Sequence, residues 1–260
     1  LAPLWVPSPF FGKGKKKNLM RTALIVGLVA AAALSQAQIA QWNFNSNPAD
    51  SSTGTGSITP SVGSGSLSLV GGATTSFQSG VGSSDPAAAD NSAYNTLNYP
   101  AQSVGSGTAG VQFNVSTVGF LNIQVQFDRR HSATASRWVQ LQYSTNGTTF
   151  VPFQNYEVSG TNVAMINGSS ANLSSISGVN NNPNFAIRLV TIFGTVGSAG
   201  GSVYTSVGNT STGPGGSTYG PAGTIRYDMV TVSGQPVPEP GTMAALGLGA
   251  AALLRRRRNK

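Results

Sequence analysis

The chain has 260 residues, 33 of them glycine and 14 proline, with no cysteine, one histidine and only 8% charged residues. Without cysteine there is no disulfide framework, thiolate metal site or cysteine nucleophile, and seven acids in the whole chain leave little for multi-carboxylate chemistry. The net charge of +8 invites a nucleic-acid partner, but ten of the fifteen basic residues lie at the two ends; between 38 and 237 five arginines face six acids and no lysine, which excludes the basic stripe a phosphate backbone requires.

The N-terminal segment has the layout of an export signal. Lys15, Lys16, Lys17 and Arg21 precede a 13-residue apolar run, Thr22 to Leu34, and then Ser35-Gln36-Ala37. This is a positive region, an apolar region and a small-x-small cleavage site, with cleavage expected after Ala37. A permanent anchor is the weaker alternative. Thirteen helical residues rise only about 20 Å, against a hydrocarbon core of ~30 Å. Met20 opens a compact signal by itself, so a translation start there is kept as an alternative. Residues 1–37 are read as leader and signal peptide.

Residues 38–235 read as one β domain. Ile39 to Phe44 opens it. Val111, Phe113 and Val115 alternate with polar neighbours. In Phe120–Phe127 the pattern places Leu121, Ile123, Val125 and Phe127 inward and Asn122, Gln124 and Gln126 outward. A strict period of two is the mark of a half-buried strand. Trp138–Tyr143 continues the pattern, Asn146-Gly147 predicts a hairpin turn, and residues 149–153 return. Residues 185–193 and 224–232 supply two more strands. Strands separated by Gly, Ser and Asn turns, with no amphipathic helix, predict an all-β, antiparallel, jelly-roll-like sandwich. Residues 46–65 and 194–222 are rich in Ser, Thr and Gly and read as mobile surface loops. No internal repeat is visible.

One polar cluster stands out: Asp128, Arg129, Arg130, His131, Ser136, Arg137 and Trp138, expected in a loop between strands. As a ligand loop, its guanidinium forks and indole suit sugar hydroxyls or acidic polysaccharide groups. As a structural loop, Asp128 pairs with an arginine and pins it, and this plainer reading is preferred. A Ser-His-Asp arrangement can be drawn from His131, Asp128 and Ser132 or Ser136. Nothing beyond nearness in sequence supports it, and no Gly-x-Ser-x-Gly elbow is present; no catalytic residue is assigned. A lone histidine cannot build a histidine zinc site. Calcium on Asp50, Asp85, Asp90 or Asp228 plus carbonyls is the one metal kept open, without any Asp-x-Asp-x-Asp spacing. Otherwise neither cofactor nor metal is expected. Tyr94, Tyr99, Tyr156, Tyr204 and Tyr219 are read mostly as core, with sugar stacking as the alternative.

The C-terminus carries the most specific pattern. Pro238-Glu239-Pro240 is followed by an apolar stretch, Met243 to Leu254, and then by Arg255, Arg256, Arg257 and Arg258. The prolines keep their segment extended. The arginines hold the cytoplasmic side, and the twelve apolar residues are too few for a comfortable permanent span. With all three parts in order, residues 236–260 resemble a PEP-CTERM sorting signal. The resemblance implies cleavage by an exosortase, a membrane protease that recognises the Pro-Glu-Pro motif, in a Gram-negative-type bacterium that makes exopolysaccharide. The segment Arg129–Trp138 with its following Gln-Tyr-Ser-Thr-Asn-Gly-Thr looks like a recurring piece of such sorted proteins, and Tyr227–Gly234 resembles the last strand of many carbohydrate-binding-like sandwiches.

The expectation is therefore an exported, non-catalytic protein of the cell surface, envelope or extracellular matrix. Its fold is a sandwich flanked by a signal helix and a short apolar tail helix. The Sec translocon and an exosortase are its partners during export, its membrane insertion is transient, and nucleic acid is excluded. The alternative is a carbohydrate-binding module for exopolysaccharide.

Overall fold

The computed structural model describes residues 35–209, 218–238, 247–249 and 255. The chain divides into two units, Gln36–Val237 and the two ends, Leu1–Ser35 with Pro238–Lys260. Within the ends, Gly247–Gly249 and Arg255 are helical; the expected signal helix, Glu239, Pro240 and Arg256 to Arg258 lie outside the described residues.

The first of these units is all β and antiparallel. Its strands are β1 (Ala37–Trp42), β2 (Val62–Gly63), β3 (Ser66–Val70), β4 (Thr74–Ser79), β5 (Ser92–Leu97), β6 (Gly110–Asn114) and β7 (Phe120–His131). They continue as β8 (Trp138–Ser144), β9 (Val151–Glu157), β10 (Ile166–Asn172), β11 (Ala186–Thr191), β12 (Gly194–Thr195), β13 (Ser198–Ala199) and β14 (Ile225–Pro236). One sheet runs β10-β7-β14-β1-β2, with β5 and β4 joined to another stretch of β14; the second runs β3-β6-β11-β8-β9. Taking β1, β6, β7, β8, β9, β10, β11 and β14 as first to eighth, one sheet reads sixth-third-eighth-first and the other second-seventh-fourth-fifth. That interleaving is the double Greek key of a jelly roll.

The strand β14 organises the first sheet by changing partners. Ile225–Tyr227 pair with β5, and Val230–Gly234 pair with β1. Between them Met229 adopts φ 48, a bulge that re-aims the strand. The Asp228 carboxylate accepts the Met229 N–H at 2.7 Å and so holds the bulge locally. Its other neighbour, β7, stays paired along the whole length.

The core lies between the sheets. Trp42 meets Phe113 edge-on at 5.0 Å, and Phe127 meets Tyr156 at 5.1 Å. Trp42, Phe44, Phe113, Phe127, Phe185 and Leu141 are fully buried. Each such side chain contributes roughly 1.5–3 kcal/mol by leaving water, and the sandwich needs no disulfide.

The alternation read from the sequence holds for Val111, Phe113, Val115, Ile123, Val125 and Phe127, all buried. Leu121 is the exception and points outward. Asn122 has φ 53, and the ladder to β14 slips between Ser233 and Gln235, so a bulge reverses the pleat ahead of Ile123. The hairpin turn forms where Asn146-Gly147 stands, with the Asn146 carbonyl oxygen Oδ1 accepting the N–H groups of Thr148 and Thr149.

The expected mobile loop 194–222 is corrected over its described part. Tyr204 and Val207 are buried. Gln102 clasps the Tyr204 backbone from both sides, donating to its carbonyl at 2.8 Å and accepting its N–H at 2.7 Å. Gly194 packs so closely on Trp138 that a Cβ there would lie 2.5 Å from the indole. Low hydrophobicity in this segment conceals two anchors, because one tyrosine and one valine suffice when each fills a core position.

Candidate functional site

The polar cluster expected in a loop is not one. Asp128, Arg129, Arg130 and His131 are the last four residues of β7, and only 132–137 form the connection to β8. Asp128, Arg129, His131, Arg137 and Trp138 are all buried; only Arg130 is partly open. The strand runs four residues past the apolar alternation, because its pairing with β14 from Ile225 to Asp228 supplies ladder bonds that side-chain pattern does not report.

Each member of the cluster is committed within the fold. Asp128 does not pair with an arginine. Its Oδ2 accepts the N–H and hydroxyl of Ser84, both at 2.6 Å, and its Oδ1 accepts the Gly168 N–H at 2.8 Å. Arg129 donates to Ser169 Oγ and to the Glu157 carbonyl, with its guanidinium 5.4 Å from the Tyr156 ring centre. Burial lowers the Arg129 pKa to about 10, opposed by Tyr227 and Tyr156. Arg130 donates to the Val163 carbonyl at 2.6 Å.

Arg137 is the most heavily used cation. One terminal nitrogen donates to the carbonyls of Val158 and Gly160, the other to those of Val207 and Asn209, at 2.6–2.7 Å. A planar guanidinium is the one side chain able to serve four acceptors on two segments in this way. The Trp138 indole N–H donates to the Thr195 carbonyl at 2.9 Å. The Arg129 and Arg137 guanidiniums and the Trp138 indole are therefore committed within the fold, and partly open Arg130 alone of the cluster reaches toward solvent.

The residues drawn as a triad do not assemble. His131 Nδ1 lies 2.8 Å from the Ser136 carbonyl oxygen, so the neutral ring donates there and cannot accept a serine proton at that nitrogen. The Ser136 hydroxyl donates to the carbonyls of Trp138 and Ile192, and Ser132 Oγ accepts the Thr224 N–H. Burial, followed by the nearby Arg129 charge, pushes the His131 pKa down to about 3. The ring stays neutral at every physiological pH.

The aspartates named for calcium take structural posts. Asp50 accepts the Thr55 hydroxyl and the Ser52 N–H. Asp85 accepts from Asn45 and Ala87, and Asp90 from the Asp50 N–H. Asp228 is buried opposite Asp128 across the ladder, with Oδ2 unpartnered. Burial raises its pKa to about 8, Asp85 and Asp128 add to the shift, and the nearby Ser83 hydroxyl and the Met229 N–H oppose it. Among the described residues, no three or more His, Cys, Asp or Glu side chains gather closely enough to hold a metal ion. Four of the five tyrosines, Tyr94, Tyr99, Tyr156 and Tyr204, are buried, and half-buried Tyr219 stacks on Tyr204 at 4.5 Å.

The open polar surface lies elsewhere, on the outer face of the five-stranded sheet. A groove of about 260 Å³ is lined by Ser106, Gln140, Gln142, Asn155, Ile192 and Phe193. Gln140 and Gln142 alternate with the buried Val139 and Leu141, so both amides lie on the outer side of the strand, Gln140 partly open and Gln142 buried against the Gly107 carbonyl. They form a relay. Gln142 Nε2 donates to Gln140 Oε1 at 3.0 Å, and Gln140 Nε2 donates to Asn155 Oδ1 at 2.9 Å. Beside them Arg188 pairs in register with Gln112 and Gln142, donates to Gln112 Oε1 at 2.8 Å and lies over the Phe150 ring at 3.7 Å. Sequence reasoning passed over this face because its signal is only the outward half of an alternation, and neutral amides look like ordinary solvent-facing residues.

At the C-terminal edge, β14 ends at Pro236, and the Val237 N–H donates to the Gly119 carbonyl at 2.8 Å. Pro238 follows directly. At the same end of the sheet, Ala37 is the first residue of β1 and pairs with Gly234. No helix among the described residues is long and apolar enough to cross a membrane.

Comparison with known families adds one match. Residues 236–258 fit the PEP-CTERM protein-sorting motif. The tail is thus an exosortase sorting signal, and the protein is one exported to the bacterial cell envelope or surface. No curated protein matches the chain.

Proposed function

We propose that the protein is a non-catalytic component of the bacterial surface or extracellular matrix, whose mature part is the jelly roll. A signal peptide removed after Ala37 starts its export through the Sec translocon. Its apolar tail enters the membrane transiently with Arg255 to Arg258 on the cytoplasmic side, and an exosortase cuts at Pro238-Glu239-Pro240. The observation that carries this reading is the sorting motif beginning where the last strand ends, on a body whose charged side chains are largely taken up by its own backbone. Intact mass of the mature protein, taken from cell-bound and medium fractions of the host, tests it. A species running from Gln38 to a C-terminus within 238–240 is expected, and a chain retaining Arg255 to Arg258 overturns it.

A second reading, recognition of exopolysaccharide, is favoured by the groove on the five-stranded sheet. Among the described residues, the amide relay leaves Asn155 Nδ2 and Gln142 Oε1 without a hydrogen-bond partner at its two ends, and half-buried Phe193, packed edge-on against Tyr204, lines the same groove. Hydroxyls, which donate and accept, suit such a mixed set, and an aromatic face suits the apolar side of a pyranose. In this reading the ligand surface is the groove and not the Arg129–Trp138 segment. Retention of the sandwich on the host polysaccharide, lost in Gln140→Ala with Asn155→Ala and unchanged in Arg130→Ala, is the expected pattern; equal retention of all three overturns the reading.

A further inference from the structure

We infer that the end of the sandwich from which both termini leave is a membrane-facing surface, resting on the lipid headgroups while the sorting tail is still attached. The inference builds on the sorting reading above.

The geometry begins with β1 and β14. They are antiparallel neighbours, and Ala37 pairs with Gly234, so the start of one and the end of the other lie at the same end of the sheet. The connections 115–119, 145–150 and 173–185 lie at that end too. The backbone joins them: Val115 N–H donates to the Phe185 carbonyl, Asn181 N–H to Phe120, and Val237 N–H to Gly119. Side chains complete the knot. Asn182 donates to the Thr145 carbonyl, Asn181 accepts the Gly119 N–H, and Thr117 donates to the Val179 carbonyl.

The chemistry of this end differs from the rest of the body. None of the charged residues between 38 and 237 falls in these connections or in residues 233–238. Three aliphatic side chains project from it: Val118 is 54% exposed, Leu121 41% and Val237 42%. They are neighbours, since Leu121 pairs with Gln235 and Gly119 receives the Val237 N–H. The rim around them is Asn, Ser and Thr, the nearest charge at this end being the Arg188 guanidinium stacked over Phe150 of the 145–150 connection, and partly exposed aliphatics gain by entering the interface.

The length of chain beyond the sandwich names the occupant. Only residues 238–242 separate Val237 from the apolar run that starts at Met243. Fully extended, five residues span at most roughly 18 Å. With the run in the bilayer, the sandwich is held within that distance of the surface, by the end that carries the three aliphatics. Three such side chains bind a membrane weakly by themselves. A short tether raises their effective concentration enough to keep them seated. The contact is therefore lost on cleavage, which frees the sandwich without any conformational change.

The absence of native cysteine permits a direct test. Full-length precursor carrying Val118→Cys, Val104→Cys or Gly247→Cys is labelled with a polarity-sensitive fluorophore and reconstituted in phosphatidylcholine vesicles containing headgroup nitroxide lipid. Val104, also 54% exposed, lies in the 98–109 connection at the opposite end and is the matched control. Quenching several times stronger at position 118 than at position 104, falling to the level of position 104 once the chain is cut at 238–240, is expected. Quenching at position 247 with equal quenching at 118 and 104 overturns the membrane-facing surface alone. No quenching at position 247 overturns both this inference and the tail insertion on which it rests.

Discussion

Two polar regions of the same sandwich divide the work differently. At the junction of β7 and β8, charge is abundant and, Arg130 apart, withdrawn from solvent: Arg137 is spent on four carbonyls, Asp128 on Ser84 and Gly168, and His131 is neutral in the core. On the outer face of β8, β9 and β11 most of the polar groups are neutral amides, and they line an open groove. The comparison teaches that charged residues in this charge-poor sandwich serve mainly as internal staples, while the open groove is lined by side chains without charge. Replacement of the first set is therefore expected to act on folding, and replacement of the second, under the proposed recognition of polysaccharide, on binding.

The sharpest break of that comparison is Arg137→Leu. It leaves four backbone acceptors at 158, 160, 207 and 209 without their donor, and a loss on the order of 3–5 kcal/mol is expected in urea unfolding. Arg137→Lys recovers only part of it, because one ammonium cannot span both segments. A loss below about 1 kcal/mol would show the staple to be dispensable.

The second effect is on pH. The folded Asp228 pKa, about 8, lies above its unfolded value of 3.8, so the folded state holds a proton that the unfolded state releases. Its contribution is complete below the unfolded value and is lost as pH rises through about 8. His131 is shifted the other way, from 6.5 to about 3, so its contribution is complete above pH 6.5 and is lost as pH falls through about 3. Of this pair only Asp228 acts between 6.5 and 8, where stability falls with rising pH by at most about 1.4 kcal/mol per unit. Asp228→Asn flattens that limb in unfolding measured across the same range; an unchanged slope would show that Asp228 does not carry it.

A smaller effect is expected on the open face. Gln140→Ala with Asn155→Ala changes stability by less than about 1 kcal/mol, since the relay is solvent-exposed at one end, yet removes polysaccharide retention. Smallest is Phe150→Leu, which takes the ring from beneath Arg188 and costs about 0.5–1 kcal/mol in thermal unfolding.

Much of the fold was legible in the sequence, for a reason visible in particular strands. β6, β7, β8 and β11 alternate Val, Phe, Ile and Leu with polar residues, so their inward faces are written in the chain. β4 (Thr-Thr-Ser-Phe-Gln-Ser) and β10 (Ile-Asn-Gly-Ser-Ser-Ala-Asn) carry almost no apolar pattern and were not anticipated. They are strands because β5 and β7 offer them a ladder, which is a tertiary fact. The polar cluster misled for a related reason: a burst of charge after an alternating run reads as a loop, unless the partner strand that continues the ladder is known. The tail was fully legible, because an address is recognised as a linear pattern and not as a fold.

The pairing of β1 with β14 also sets a clock. The first strand of the sandwich has its central neighbour in the last, so the ladder from Ala37 to Gly234 cannot close until nearly the whole chain has been delivered. At synthesis rates of about 5–20 residues per second, β1 waits roughly 10–40 s for its partner. During that interval the residues around the proposed cleavage site after Ala37 are unladdered and open to a peptidase. Once β14 arrives, Ala37 is laddered to Gly234, so under the proposed processing a chain not cleaved before folding closes loses the easiest occasion for it.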